Sequence, residues 1–164
     1  IIKNKKIFSS YWYKKANVHI YLCMKKVYVN SNKAAEPVGN YPHAIKINNF
    51  IFLSGIGPRK KNSKKIPGVE LNESGDVISY DIKEQCLAVF DNIKYILEEA
   101  GASFENIIDV SVFLTDMKKD FKVFNKIYNE YFKELTPTRT TVEVVSLPTP
   151  IAVELKIIAF LDEK

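Results

Sequence analysis

Chemically distinctive residues are scarce in this chain of 164 residues. Its two cysteines, Cys23 and Cys86, are too few for a disulfide scaffold or a cysteine-built metal cluster, and a reducing, cytoplasmic setting fits them best. The two histidines, His19 and His43, lack the spacing of zinc ligands, and no metal or cofactor site is legible. No apolar run approaches the ~20 residues that a membrane-crossing helix needs, so none is expected. Arginine is the most telling shortage. Of 24 basic side chains, 22 are lysine and only Arg59 and Arg139 are arginine.

What is present divides unevenly. Residues 1–33 carry eight lysines and no acid, whereas residues 34–164 carry 16 basic and 19 acidic residues, a balance of −3. The basic pI therefore belongs to the leader, and the body lacks the clustered positive surface of a nucleic-acid binder. Arg59-Lys60-Lys61 and Lys64-Lys65 read as a solvated loop. The abundance of Lys, Asn and Ile resembles a genome-wide bias, which weakens any inference from lysine runs. The chain opens at Ile1, and Met24 is a candidate domain start. Residues 1–33 read as an organelle-targeting segment, an upstream extension or an artefact, although transit peptides favour Arg and Ser over Lys. The folded domain is assigned to residues 34–164, a length that suits one core.

Within that domain, Ala44–Ile47 and Phe50–Gly55 flank Asn48-Asn49 and predict a hairpin. A Gly/Pro/Lys loop follows from Gly57 to about Ser79, long enough to suggest a functional flap. Asp81 opens a helix in capping-box style with Glu84, and Gly101 closes it. The apolar stripe Ile82, Cys86, Val89/Phe90, Ile93, Ile96/Leu97 assigns Cys86 to core packing. Ile108 to Thr115 alternates as a strand, and Phe121 to Phe132 repeats as a second helix ending before Pro137. Strands at Thr140–Val145 and Val153–Phe160 complete the order ββαβαββ, an α+β layer with two helices on one sheet. Phe50 to Leu53 is apolar on both faces, and two helices cover one side only. A second copy is expected to bury the other.

Arg139 lies in PTRTTVEVV, at the head of a strand expected to be buried. Its planar, permanently charged fork can grip a carboxylate through two parallel hydrogen bonds, unlike a lysine ammonium. On pattern alone it is equally a structural ion pair or a solvated strand end. Glu154 alternates with Val153 and Leu155 and reads on pattern as a polar-face residue beside Lys156. Likewise Tyr41 and His43 read as turn residues, Ser54-Gly55 as a strand end, Asn125 as an exposed helix residue and Thr141 as an ordinary strand residue.

Five blocks change those readings: VGNYPHA (38–44), FIFLSGIGP (50–58), QCLAVFDNIKYILEEAGAS (85–103), VSVFLTDM (110–117) and PTRTTVEVVSLPTPIAVELKIIA (137–159). With them, the body resembles the Rid (RidA/YjgF) family, long labelled endoribonuclease L-PSP or translation inhibitor. YPHA, SGIGPR, IPGV and RTTVEV…LPTPIAVELK are most similar to its 2-aminomuconate deaminase branch. The resemblance implies a chorismate-mutase-like fold, a homotrimer with clefts at subunit interfaces, and cofactor-free hydrolysis of imino and enamino acids such as 2-aminoacrylate. It implies that Arg139 binds the substrate carboxylate and that Glu154 positions water. Tyr41, Ser54, Gly55, Asn125 and Thr141 fall on pocket positions, with Thr141 where many members carry cysteine. Deamination of 2-aminomuconate, RNA cleavage or translation inhibition, and a non-catalytic carboxylate-binding trimer are the alternatives.

Overall fold

Asn48 reverses the chain in left-handed backbone (φ 51°), a conformation asparagine tolerates, and so joins two antiparallel strands. In the computed structural model, which describes residues 25–63 and 65–162, these are β2 (Ala44–Ile47) and β3 (Phe50–Leu53). A further strand, β1 (Lys26–Val29), pairs with β2. Among the described residues the sheet thus begins at Lys26, inside the segment set apart as a leader, so a strand of the fold lies ahead of the expected boundary at residue 34. The targeting reading concerns mainly residues 1–24, which lie outside the described residues.

The expected 57–79 loop contains a second hairpin, β4 (Val69–Leu71) and β5 (Val77–Tyr80), which forms its own two-stranded sheet. Alternation was too short there to stand out from the Gly/Pro signals. Asp81 then caps α1 (Ile82–Glu99) by accepting from the backbone N–H of Lys83 and Glu84. The reciprocal arm of a capping box is absent, because Asp81 donates its own N–H to Gly68 O at 2.7 Å, tying the loop to the helix start. Gly101 (φ 77°) ends α1 in the left-handed conformation that glycine adopts without penalty.

Next come β6 (Ile107–Leu114), α2 (Met117–Phe132), β7 (Thr138–Glu143) and β8 (Val153–Phe160). The sheet order is β1-β2-β3-β8-β6-β7, antiparallel except for the β6–β7 pair. Both helices cover one face. There Ile51, Leu53, Val110, Val112, Leu114, Val153, Leu155 and Ile157 are almost wholly buried against Val89, Ile93, Ile96, Leu97 and Phe124. Burial on this scale, at about 1.5–3 kcal/mol per large side chain, holds the layers together. Burial also pushes the Cys86 thiol up to about 12, with the Asp120 carboxylate adding to the shift, so this core cysteine stays protonated.

Among the described residues nothing covers the opposite face, whose β2–β3–β8 part is apolar. Phe50 and Phe52, on β3, are 41% and 37% exposed. Across the register they align with Ile45 and Ile47 on one side and Ile158 and Phe160 on the other. Strand β7 differs from expectation. Within one chain it is a largely exposed edge strand.

Candidate active site

Two sets of candidate residues sit on opposite faces of the sheet. Arg139 pairs with Val110 and therefore points to the helix side, where α2 holds it. Its Nη1 donates to Asn125 Oδ1 at 2.9 Å, and its guanidinium carbon lies 4.5 Å from the Tyr128 ring centroid and 6.0 Å from that of Phe121. This stacking and the single neutral hydrogen bond fix the plane of the fork. Among the described residues it makes no ion pair. Its charge is thus oriented but not neutralised by a carboxylate among the described residues. Thr141, two residues on and on the same face, has a buried Oγ1 without a hydrogen-bond partner among the described residues.

Glu154 pairs with Phe113, between the buried Val153 and Leu155, and so faces away from the helices. The chain after β3 runs beside it: Ile56 and Leu155 exchange backbone hydrogen bonds of 2.8 and 3.1 Å. That pairing presses Gly55 against the carboxylate. A Cβ at Gly55 would come within 2.8 Å of Glu154 Cδ, and nearer still to Oε1. The missing side chain at Gly55 is what lets the carboxylate lie this close to the backbone. Half-burial pushes the Glu154 carboxyl above the usual glutamate range, since desolvation disfavours its charged form.

Tyr41, Gly55 and Glu154 line one cavity of about 120 Å³, with Val38, Gly57, Arg59, Pro148, Thr149 and Ile151. A smaller adjoining pocket shares Tyr41, Gly55 and Arg59 and adds Ser54. Ser54 Oγ donates to Pro42 O at 2.7 Å and Ser54 N–H to His43 O at 2.9 Å, which hold the Tyr41 turn against β3. His43 is structural, as its turn position suggested. It is buried, its Nδ1 accepts from Ser31 N–H, and its Nε2 bonds Ala35 O at 2.8 Å.

The structure therefore brings Arg139, Asn125 and Thr141 together on one side of the sheet, and Glu154, Gly55, Tyr41 and Ser54 on the other. It does not bring Arg139 and Glu154 together within one chain. Sequence reasoning missed Arg59, taken for part of a solvated loop, and Asn92. The buried Asn92 side chain donates to Gly57 O (3.0 Å) and Arg59 O (2.8 Å), pinning the loop where it leaves β3. Arginine's rarity was the one available signal for Arg59.

The chain is 42% identical over 137 residues to a RutC family protein of Pyrococcus abyssi, covering 84% of this chain and 98% of that one. It is 35% identical over 138 residues to the chloroplastic Reactive Intermediate Deaminase A of Arabidopsis thaliana, covering 84% of this chain and 67% of that protein. Among solved structures, Escherichia coli TdcF with bound serine superposes with a TM-score of 0.71 at 28% identity, over 83% of this chain and 99% of that one. The fold is the α+β, chorismate-mutase-like one. A family model described as Endoribonuclease L-PSP matches residues 31–161, and the chain belongs to that family, also called Rid or YjgF.

Proposed function

We propose that the protein hydrolyses enamino and imino acids of the 2-aminoacrylate/2-iminopropanoate type to a 2-keto acid and ammonia, in clefts shared between copies of a homotrimer. The observation that carries this reading is the pair of charges unmatched among the described residues: an oriented guanidinium without an acid, and a half-buried carboxylate without a base. An imino acid needs both. Its carboxylate takes the fork of Arg139, with Asn125 and Tyr128 holding the fork's plane. Its C=N carbon then meets a water held by Glu154.

An enamine first gains a proton at its terminal carbon and becomes the iminium. Water forms a bond to the former C=N carbon, the π pair moves to nitrogen, and Glu154 accepts the proton that water loses. Returned to nitrogen, that proton makes ammonia the leaving group. The C–N bond breaks as an oxygen pair closes the C=O bond, and the hydroxyl proton passes through Glu154 to solvent, replacing the one the enamine took up and leaving the ketone and ammonia. Because burial raises its proton affinity, Glu154 is a stronger base than a solvated glutamate. General-base help of about 10²–10⁴-fold is sufficient for an imine that already hydrolyses readily. The relative named as a deaminase and the neighbour described with bound serine accord with an amino-acid-like ligand. RNA cleavage has weaker support, because His43 is buried with both ring nitrogens engaged. Deamination of 2-aminomuconate is a narrower form of the same chemistry.

The test is subunit complementation. With 2-aminoacrylate generated from serine by a dehydratase, wild type should speed keto-acid release, and Arg139→Ala and Glu154→Gln alone should lose about 10²-fold or more. Co-refolded one to one, the two variants should regain about a quarter of wild-type activity, the fraction of shared sites that receive both intact residues. A mixture as inactive as its components would overturn the shared cleft. Wild type indistinguishable from buffer would overturn the deaminase itself.

A further inference from the structure

Resting on that reading, we propose that Arg59 is a second carboxylate-binding group and that the cleft takes dicarboxylic imino or enamino acids. The sequence has only two arginines, and Lys60 and Lys61 stand directly beside this one. A loop needing only solubility is served by lysine in this composition. Arg59 is instead half-buried and lines the cavity that holds Glu154. Its backbone is fixed by Asn92, so the side chain leaves from a rigid point.

Among the described residues, no carboxylate takes up the charge of Arg59. Its Nη2 donates to a carbonyl, Glu36 O, which is neutral. The Glu36 carboxylate pairs with Lys61 at 3.5 Å, and Arg59 makes no ion pair among the described residues. Nor does Arg59 neutralise Glu154. The two share a cavity without an ion pair, and burial alone accounts for the raised Glu154 carboxyl. The remaining guanidinium donors therefore suit an outside anion. With Arg139 assigned to the carboxylate beside the imine, a second fork calls for a second carboxylate at the far end of the same molecule. Val38, Pro148 and Ile151 give the cavity apolar walls suited to a short carbon spacer. Glu154 disfavours a phosphate dianion about twice as strongly as a carboxylate, since Coulomb repulsion scales with charge.

The test uses stable keto acids in place of imines. Calorimetric titration of the intact oligomer should show 2-oxoglutarate binding about tenfold or more tightly than 2-oxobutanoate, the scale of one charge-assisted hydrogen bond. Arg59→Gln should make the two affinities converge, and Arg59→Lys should restore part of the gap. Equal wild-type affinities, or a ratio unmoved in Arg59→Gln, would overturn the proposal. So would an equal loss of both ligands in Arg59→Gln, which marks a structural tie or a common anchor. Turnover separates this from the reaction itself. A dicarboxylate preference without hydrolysis of any imine leaves Arg59 assigned and refutes the deaminase, whereas turnover without the preference does the reverse.

Discussion

Gly55→Ala tests the placement of Glu154 more sharply than removing Glu154 does. The added Cβ would lie 2.8 Å from Glu154 Cδ and 3.4 Å from Oε2, with Oε1 closer still. Gly55 has no left-handed φ, so alanine meets no backbone strain there. The atoms in its way are the end of a flexible side chain, and rotation of Glu154 relieves the overlap. A rotamer shift of that kind costs about 0.5–1.5 kcal/mol, so melting temperature should fall by only a few degrees. The carboxylate, however, must move by about 1 Å, a displacement that costs about 10²-fold when a reacting group is misplaced. That loss corresponds to about 2.7 kcal/mol of transition-state stabilisation. Keto-acid release from 2-aminoacrylate, measured beside thermal melts, separates the two effects. Wild-type-like turnover in Gly55→Ala would refute the claim that this close approach positions the base. A collapse in stability would refute the claim that only a side-chain end gives way.

Two pH measurements follow from buried carboxyls. Because burial raises Glu154, the acid limb of kcat/KM should lie above the ordinary glutamate range of about 4.3 and vanish in Glu154→Gln; a limb that survives the substitution would assign it elsewhere. Asp120 is fully buried, accepts a hydrogen bond from Tyr80 OH at 2.8 Å, and has no partner for Oδ1 among the described residues. Burial pushes its carboxyl up, so the folded state binds the proton more tightly than the unfolded chain, and stability falls as pH rises from the unfolded value of about 3.9 through the folded one. Asp120→Asn keeps an acceptor for Tyr80 without the charge, so its melting temperature should equal or exceed wild type at pH 7 and lose that advantage towards pH 4. An advantage that grows on acidification would contradict the assignment.

Legibility followed pattern strength. Both helices stood out because long apolar stripes at 3.6-residue spacing have few competing explanations, β3 because the Asn48-Asn49 turn marks a hairpin, and β6 and β8 because alternation matches their half-buried places. Strand β1 hid in a lysine-rich segment whose composition argued for a leader, and β4–β5 hid among turn signals. The exposure of β7 was unreadable for another reason: a β-branched run describes a strand but not whether anything lies beside it. At the site, Arg139 stood out by rarity, yet its hold on Asn125 and Tyr128 depends on how α2 crosses the sheet, which no spacing encodes. Arg59 carried the same rarity and was lost among neighbouring lysines.

The separation of Arg139 from Glu154 follows from strand periodicity. On β6 their partners are Val110 and Phe113, an odd offset, so the two side chains emerge on opposite faces of one sheet. No rotamer carries a side chain through a sheet whose helix face is packed. A cleft using both must join the β7 edge of one copy to the Glu154 side of another. That same side carries the uncovered Phe50 and Phe52, and β7 presents Val142 beside Phe113. On the proposed reading, covering the apolar face and completing the site are therefore one event. Activity should then depend on association: loss of the interface removes catalysis even from chains that remain folded, because each retains only an anchor without a base or a base without an anchor.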